Sequence, residues 1–303
     1  MNDRFVFSEA VARALAARRP VVALETTVVT PGLPHPDGVE AAMALEAEVT
    51  ANGGVPATIG VMGGAVRIGL SRAEIETLAS TPGVAKLNLG NFAAVIAGGG
   101  SGSTTVSATM FAAHHSGIPV FATGGIGGVH RDASVSGDVS ADLTALSRIP
   151  VVVVCAGAKA ILDLPRTVEM LETLGVPVYG FGTNEFPAFY RRESGLPVDR
   201  RFDTIESLAA AVRTHLALGM VTGVVVANPI PEADAMPLPV YEDALVQALA
   251  AAAREGVRGR EVTPFLLARM NAITGGASVR CNLSLLRNNA GVAARLAAAL
   301  IAR

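Results

Sequence analysis

Six short apolar runs are spaced along the chain: VVALET (21–26), PATIGV (56–61), IPVFAT (118–123), VVVVCA (151–156), VPVYGF (176–181) and GVVVAN (223–228). They are rich in β-branched residues and nearly continuous in apolar character, the pattern of strands buried on both faces. The stretches between them alternate apolar and polar positions with helical spacing and carry recognisable ends. Ser71 with Glu74 three residues on predicts a capping box. Pro165 falls where a first helical turn would begin and Gly175 where that helix would stop. Beyond about residue 238 the strand pattern gives way to helices expected to begin near Pro239, Thr263 and Ser278. The prediction is an α/β fold with helices covering a largely parallel or mixed sheet, closed by a helical C-terminal layer. No linker, repeat or low-complexity segment divides residues 1–303, so one domain is expected.

Composition narrows the function classes. Of 303 residues, 50% are hydrophobic and 17% charged, which supports a large core and argues against disorder. A net charge of −2 with mixed signs gives no footprint for nucleic acid, and 4% aromatic content gives no base-stacking platform. Cys155 and Cys281 lie far apart in apolar surroundings, where reduced buried thiols are the default. Residues 1–19 lack the apolar core of a secretory signal, and no apolar stretch approaches the roughly 18 residues needed to cross a bilayer. A soluble cytoplasmic protein is expected, with no membrane partner.

Lysine occurs only twice, at Lys86 and Lys159, among 24 basic residues. Where arginine supplies nearly all positive charge, a retained lysine is of interest because its amine can attack carbon and guanidinium cannot. Lys159 follows the valine run 151–154, and an amine at the carboxyl end of a buried strand suits Schiff-base chemistry. Compositional drift that left two lysines by chance is the plainer alternative.

Further segments carry candidate chemistry. Residues 97–117 form a glycine-rich stretch running into a helix, where Ser101, Ser103, Thr104 and Thr105 would cradle a phosphate or simply make a loop-to-helix turn. In 121–143, Asp138 and Asp142 are four apart, so on a helix they would share a face and offer oxygen ligands suited to Mg²⁺ or Mn²⁺. The alternative makes Asp138 a helix N-cap and Asp142 a solvated charge. His130 reads as a ligand or as an ordinary surface histidine. Glu25 ends the first long strand, where packing gives an acid no reason to be and a general acid would be well placed. Asn228 ends a later strand in the same way.

Taken together, ALETT (23–27), VPATIG (55–60), STTV (103–106), FATGGIGGVHR (121–131), DVSADL (138–143), VVCAGAKAILDL (153–164), FPAF (186–189), VVANPIPEADAMP (225–237) and TPFLLAR (263–269) resemble the pseudouridine-5'-phosphate glycosidase family over nearly the whole chain. The resemblance implies a single α/β/α domain, a homotrimer, a divalent metal (typically Mn²⁺), and chemistry at the carbon–carbon bond between C1' of ribose 5-phosphate and its aglycone. It implies Lys159 as the imine-forming nucleophile and Glu25 as proton donor and acceptor. Lys86, Thr104, Thr105, Val106, Ser140, Asp142 and Asn282 would bind substrate, and Asp138 would hold the metal.

Two segments depart from the family. Lys86 is followed by Leu87, Asn88, Leu89, Gly90 and Asn91 in place of a Ser-Arg-Arg-Asp run, and TPGLP (30–34) puts Thr30 where the family has histidine. Loss of charged groups predicts a roomier, more apolar aglycone pocket, as in branches that attach ribose 5-phosphate to aromatic or quinone natural products. Synthesis of such a C-glycoside is therefore the favoured expectation. Pseudouridine 5'-phosphate cleavage is the alternative, with a non-catalytic sugar-phosphate binder behind both.

Overall fold

The computed structural model describes residues 4–33, 36–257, 259 and 262–302. Pro34, which ends the TPGLP segment, lies outside them. Eleven strands are described: β1 (Phe5–Phe7), β2 (Val21–Leu24), β3 (Val55–Met62), β4 (Ala65–Ile68), β5 (Ala85–Leu87), β6 (Gly102–Thr104), β7 (Val120–Ala122), β8 (Val152–Cys155), β9 (Val178–Phe181), β10 (Arg200–Phe202) and β11 (Val224–Ala227). They form one sheet in the order β1-β4-β3-β2-β7-β8-β11-β9-β10, with β6 pairing β3 and β5 pairing β6. Pairing is parallel except where β3 meets β4 and β6. The expected mixed, largely parallel sheet is present.

The valine runs form the centre of this sheet because neighbours in the plane and helices on the faces leave them no water. Val152, Val153 and Val154 are fully buried, as are Val225 and Val226 on the adjacent strand. Burying each such side chain stabilises the fold by about 1.5–3 kcal/mol before entropy is counted. The helix ends obey local rules. Ser71 accepts from the Glu74 amide while Glu74 answers to the Ser71 amide, completing the capping box. Asp163 caps Leu164–Thr173, Pro165 sits in its first turn, and Gly175 follows it with φ 67°.

Three C-terminal helices, Leu238–Glu255, Val262–Ile273 and Ala277–Ile301, make the expected final layer. The last packs against helix Asp37–Ala51 and strands β2, β7 and β8. Its inward face carries Leu285, Leu286, Val292, Ala293 and Leu296, with one amide, Asn289, fully buried among them. Cys155 and Cys281 are free and buried. No helix among the described residues is long and apolar enough to cross a membrane.

Candidate active site

The central register aligns Leu24 of β2 with Ala122 of β7, and Ala122 with Val154 of β8. The next residue of each, Glu25 and Thr123 just past their strands and Cys155 at the end of β8, therefore lie side by side at the carboxyl edge of the sheet, where open α/β sheets hold ligands. Glu25 is buried, and its carboxylate accepts from the hydroxyls of Thr27 and Thr123. The Thr123 carbonyl in turn accepts from Asn289 Nδ2 at 2.8 Å, and Asn289 Oδ1 accepts from Asn228 Nδ2 at 2.8 Å. Asn228 and Asn289 thus brace the strand end that holds the acid. Thr27, Thr123 and Asn289 are missing from the sequence-based candidates; the signal for Asn289 is an amide in an apolar helical stripe.

Lys159 lies four residues beyond β8. Its amide donates to the Ile126 carbonyl at 3.0 Å, and the Ile126 amide donates to Gly157 at 3.0 Å, so the lysine loop is laced to the loop after β7. Tyr241 supports the same loop by donating to Ala160 at 2.7 Å. Gly157 has φ 81°, and a Cβ there would stand 2.0 Å from the Pro187 carbonyl oxygen, which explains the glycine of the AGAK segment. Burial pushes the neighbouring Cys155 thiol up to about 12, against the opposing effect of the Gly157 and Ile126 amides and of Lys159. A thiol so held stays protonated and is a poor nucleophile.

A cavity of about 410 Å³ opens beside these loops. Lys86, Lys159, Asp138, Ser140, Asp142, Thr105 and His130 all line it, and Pro31, Leu162, Pro264 and Leu267 form an apolar wall. Thr27 also lines it, so Glu25 sits one hydroxyl behind the surface. Asn282 is absent from the described lining; its side chain reaches Gly124, next to the Thr123 that binds Glu25. Val106, fully buried, begins helix Val106–His115 behind Thr105.

Several expectations require correction. The glycine-rich stretch is not an open cradle, because Gly102–Thr104 is the buried strand β6. Thr104 donates to the Ile59 carbonyl at 2.7 Å and Ser101 accepts from the Gly63 amide at 3.1 Å, while Ser103 is fully buried. Thr105 is the hydroxyl of the four that meets the cavity. Asp138 and Asp142 do not share a helix face, since the helix starts at Ala141 with Ser140 as its N-cap. Asp138 lies in the extended segment before it, with its carboxylate 3.9 Å from His130 Nε2. Asp142 is buried and accepts amides from two other segments, so it is no solvated charge.

The altered segment after Lys86 also differs from expectation. Leu87 points into the core, fully buried against Gly102, because successive strand residues face opposite sides. Lys86, Asn88, Gly90 and Asn91 meet the cavity instead. Asn88 Oδ1 accepts from Gly90 and Asn91 Oδ1 from Asn88, so the two amides shape the turn. The segment adds polar groups to the cavity, whose apolar wall comes from elsewhere.

A lysine-and-carboxylate site at the carboxyl edge of a mixed α/β sheet defines the class. Residues 10–299 match the family described as "Indigoidine synthase A like protein". The chain is 53% identical to the pseudouridine-5'-phosphate glycosidase of Methylobacterium nodulans over 97% of its own length and 87% of that protein's. It is 50% identical to the pseudouridine-5'-phosphate glycosidase of Caldanaerobacter subterraneus subsp. tengcongensis, covering 99% of this chain and 98% of the relative. The crystal structure of the prealnumycin C-glycosynthase AlnA, in complex with ribulose 5-phosphate, superposes with TM-score 0.91 at 40% identity, covering 100% of this chain and 98% of that one. An indigoidine synthase A-like protein from Thermotoga maritima gives TM-score 0.89 at 36% identity over 98% and 96% of the two chains. The protein belongs to the pseudouridine-5'-phosphate glycosidase and indigoidine synthase A family.

Proposed function

We propose that the protein cleaves the C1'–carbon bond of pseudouridine 5'-phosphate, releasing uracil and ribose 5-phosphate. The observation that carries this reading is that the chain's only two lysines, Lys86 and Lys159, line one cavity with Asp138. The glycosidases that share about half its residues over nearly its whole length support cleavage over synthesis. The inward turn of Leu87 removes the main argument for an aglycone pocket made apolar by residues 87–91.

An O-glycoside departs once its bridging oxygen is protonated, so two carboxyl groups suffice. A C-glycoside has no such atom, and Lys159 supplies the electron pair instead. Glu25 gives a proton to the ring oxygen as the C1'–O4' bond breaks, and the Lys159 amine bonds to C1'. Glu25 then takes the proton that the nitrogen sheds. The nitrogen lone pair forms the C1'=N imine while the C1'–C5 pair moves onto uracil C5, which Glu25 protonates. Water at C1' releases ribose 5-phosphate and restores the amine. In this reading Lys86 and Thr105, which line the cavity with Ser140, would hold the phosphate, and Asn282, near Gly124 and outside the described lining, would contact substrate from the Glu25 side.

A metal would rest on Asp138. Among the described residues no three His, Cys, Asp or Glu side chains converge as a metal cage. A single half-exposed carboxylate beside a phosphate site fits a hard cation that keeps most of its waters, such as Mn²⁺ or Mg²⁺. Such a cation would offset the charge of the bound phosphate. Chelation is expected to abolish turnover, and Mn²⁺ to restore it better than Zn²⁺, because the donors are oxygens. Full activity in a rigorously metal-free preparation would remove the metal from the proposal.

A second reading, C-glycoside synthesis on an aromatic aglycone, is supported by the AlnA likeness and the apolar wall of Pro31, Leu162, Pro264 and Leu267. Side-by-side assays separate the two. Pseudouridine 5'-phosphate should give rapid uracil release, while ribose 5-phosphate with a hydroxylated naphthoquinone should give little product. The reverse result would favour synthesis.

A further inference from the structure

Asp142 reads by family resemblance as a group that contacts substrate, yet its surroundings describe a different task. The residue is buried. Its Oδ1 accepts from the Ser107 amide at 2.9 Å and its Oδ2 from the Gly127 amide at 2.8 Å. Ser107 is in the first turn of helix Val106–His115, where amides lack intrahelical acceptors and a carboxylate is well accommodated. Gly127 belongs to the loop after β7, where a Cβ would lie 2.2 Å from Ser140 Oγ and 2.7 Å from Asp142 Oδ2. Ser140 fastens the same loop through its amide, which donates to Gly128 at 3.0 Å.

Ile126, one residue before Gly127, accepts the Lys159 amide. One carboxylate therefore ties together the loop from which the lysine backbone hangs and the helix start that presents Thr105 to the cavity. Each oxygen receives a different segment, a task that the neutral amide of asparagine cannot repeat: its NH₂ would face one of the two N–H donors. A buried charge-assisted bond of this kind holds geometry tightly, and small misplacement of a nucleophile is costly to rate.

We propose that Asp142 is a positioning residue, which sets Lys159 relative to the helix that starts behind Thr105, and that binding substrate is not its principal role. The kinetic part of this inference rests on the imine reading of Lys159; the clamp itself does not. In native-state hydrogen exchange, the Ser107 and Gly127 amides of the wild-type protein should be strongly protected, although Gly127 lines the cavity and the Ser107 amide, in a first helical turn, has no acceptor within its own helix. Asp142→Asn should accelerate exchange at both amides by at least about tenfold. The same variant should slow kcat and the rate of borohydride trapping of ribose 5-phosphate on Lys159 by similar factors, about 10²-fold, and change KM by less than about threefold.

Fast exchange at Ser107 and Gly127 in the wild type would overturn the clamp, and this measurement does not depend on the variant folding. Unchanged exchange in Asp142→Asn would overturn it too. A raised KM with kcat and trapping preserved would return Asp142 to substrate binding. If wild-type protein neither traps the sugar nor releases uracil, the imine reading fails, while the exchange data still decide the clamp.

Discussion

Lys159→Arg is expected to be as inactive as Lys159→Ala, with uracil release from pseudouridine 5'-phosphate reduced on the order of 10⁴-fold or more. Arginine keeps the charge and much of the length but offers no lone pair to C1'. The backbone would stay in place, since the Lys159 amide bond to Ile126 and the left-handed Gly157 do not depend on the side chain. Cys155 cannot substitute, because burial keeps its thiol protonated. Wild-type protein treated with ribose 5-phosphate and borohydride should gain a stable mass on the peptide that contains Lys159, and both variants should gain none. Labelling on another residue, or substantial turnover by Lys159→Arg, would refute the imine.

Glu25→Gln is expected to slow uracil release by about 10²–10⁴-fold, the usual range for loss of a general acid–base group. Glutamine matches the shape; its oxygen can accept from one of the Thr27 and Thr123 hydroxyls while its NH₂ donates to the other, since a hydroxyl also accepts, so the strand ends should keep their places. It cannot pass a proton to the ring oxygen or to the departing carbon. Free ribose 5-phosphate opens to its aldehyde without help, so borohydride trapping on Lys159 should persist in this variant. Cleavage and trapping would thus part company. Wild-type rates of uracil release from Glu25→Gln would assign proton transfer to another group.

The architecture was largely legible because it rests on regular periods. Valine runs identified the central strands, and Ser71, Glu74, Pro165 and Gly175 marked helix ends through chemistry local to each. Errors arose where one residue type serves several purposes. Glycines at 98–102 suggested a cradle, but Gly102 is small because Leu87 packs against it. The spacing of Asp138 and Asp142 suggested one helix face, but Ser140, an equally good cap, starts the helix between them. Leu87 adjoins Lys86 in sequence, yet strand alternation sends Lys86 to the cavity and Leu87 to the core. Glu25 stood out as an acid at a strand end. The threonines and the asparagine that hold it did not, because a hydroxyl or amide reveals its partner only once the chain has folded.

That asparagine sets a timetable. Asn289 meets the Thr123 carbonyl across 166 residues of sequence, from the last long helix to the middle of the chain. Contacts so remote close large loops and come late in folding, after local helices and neighbouring strands have formed. Glu25 leans on Thr123, so the acid is secured by one of the final events of assembly. A growing polypeptide would carry most of its sheet before it owned a finished proton donor, and competence for catalysis would arrive with the C-terminal helix.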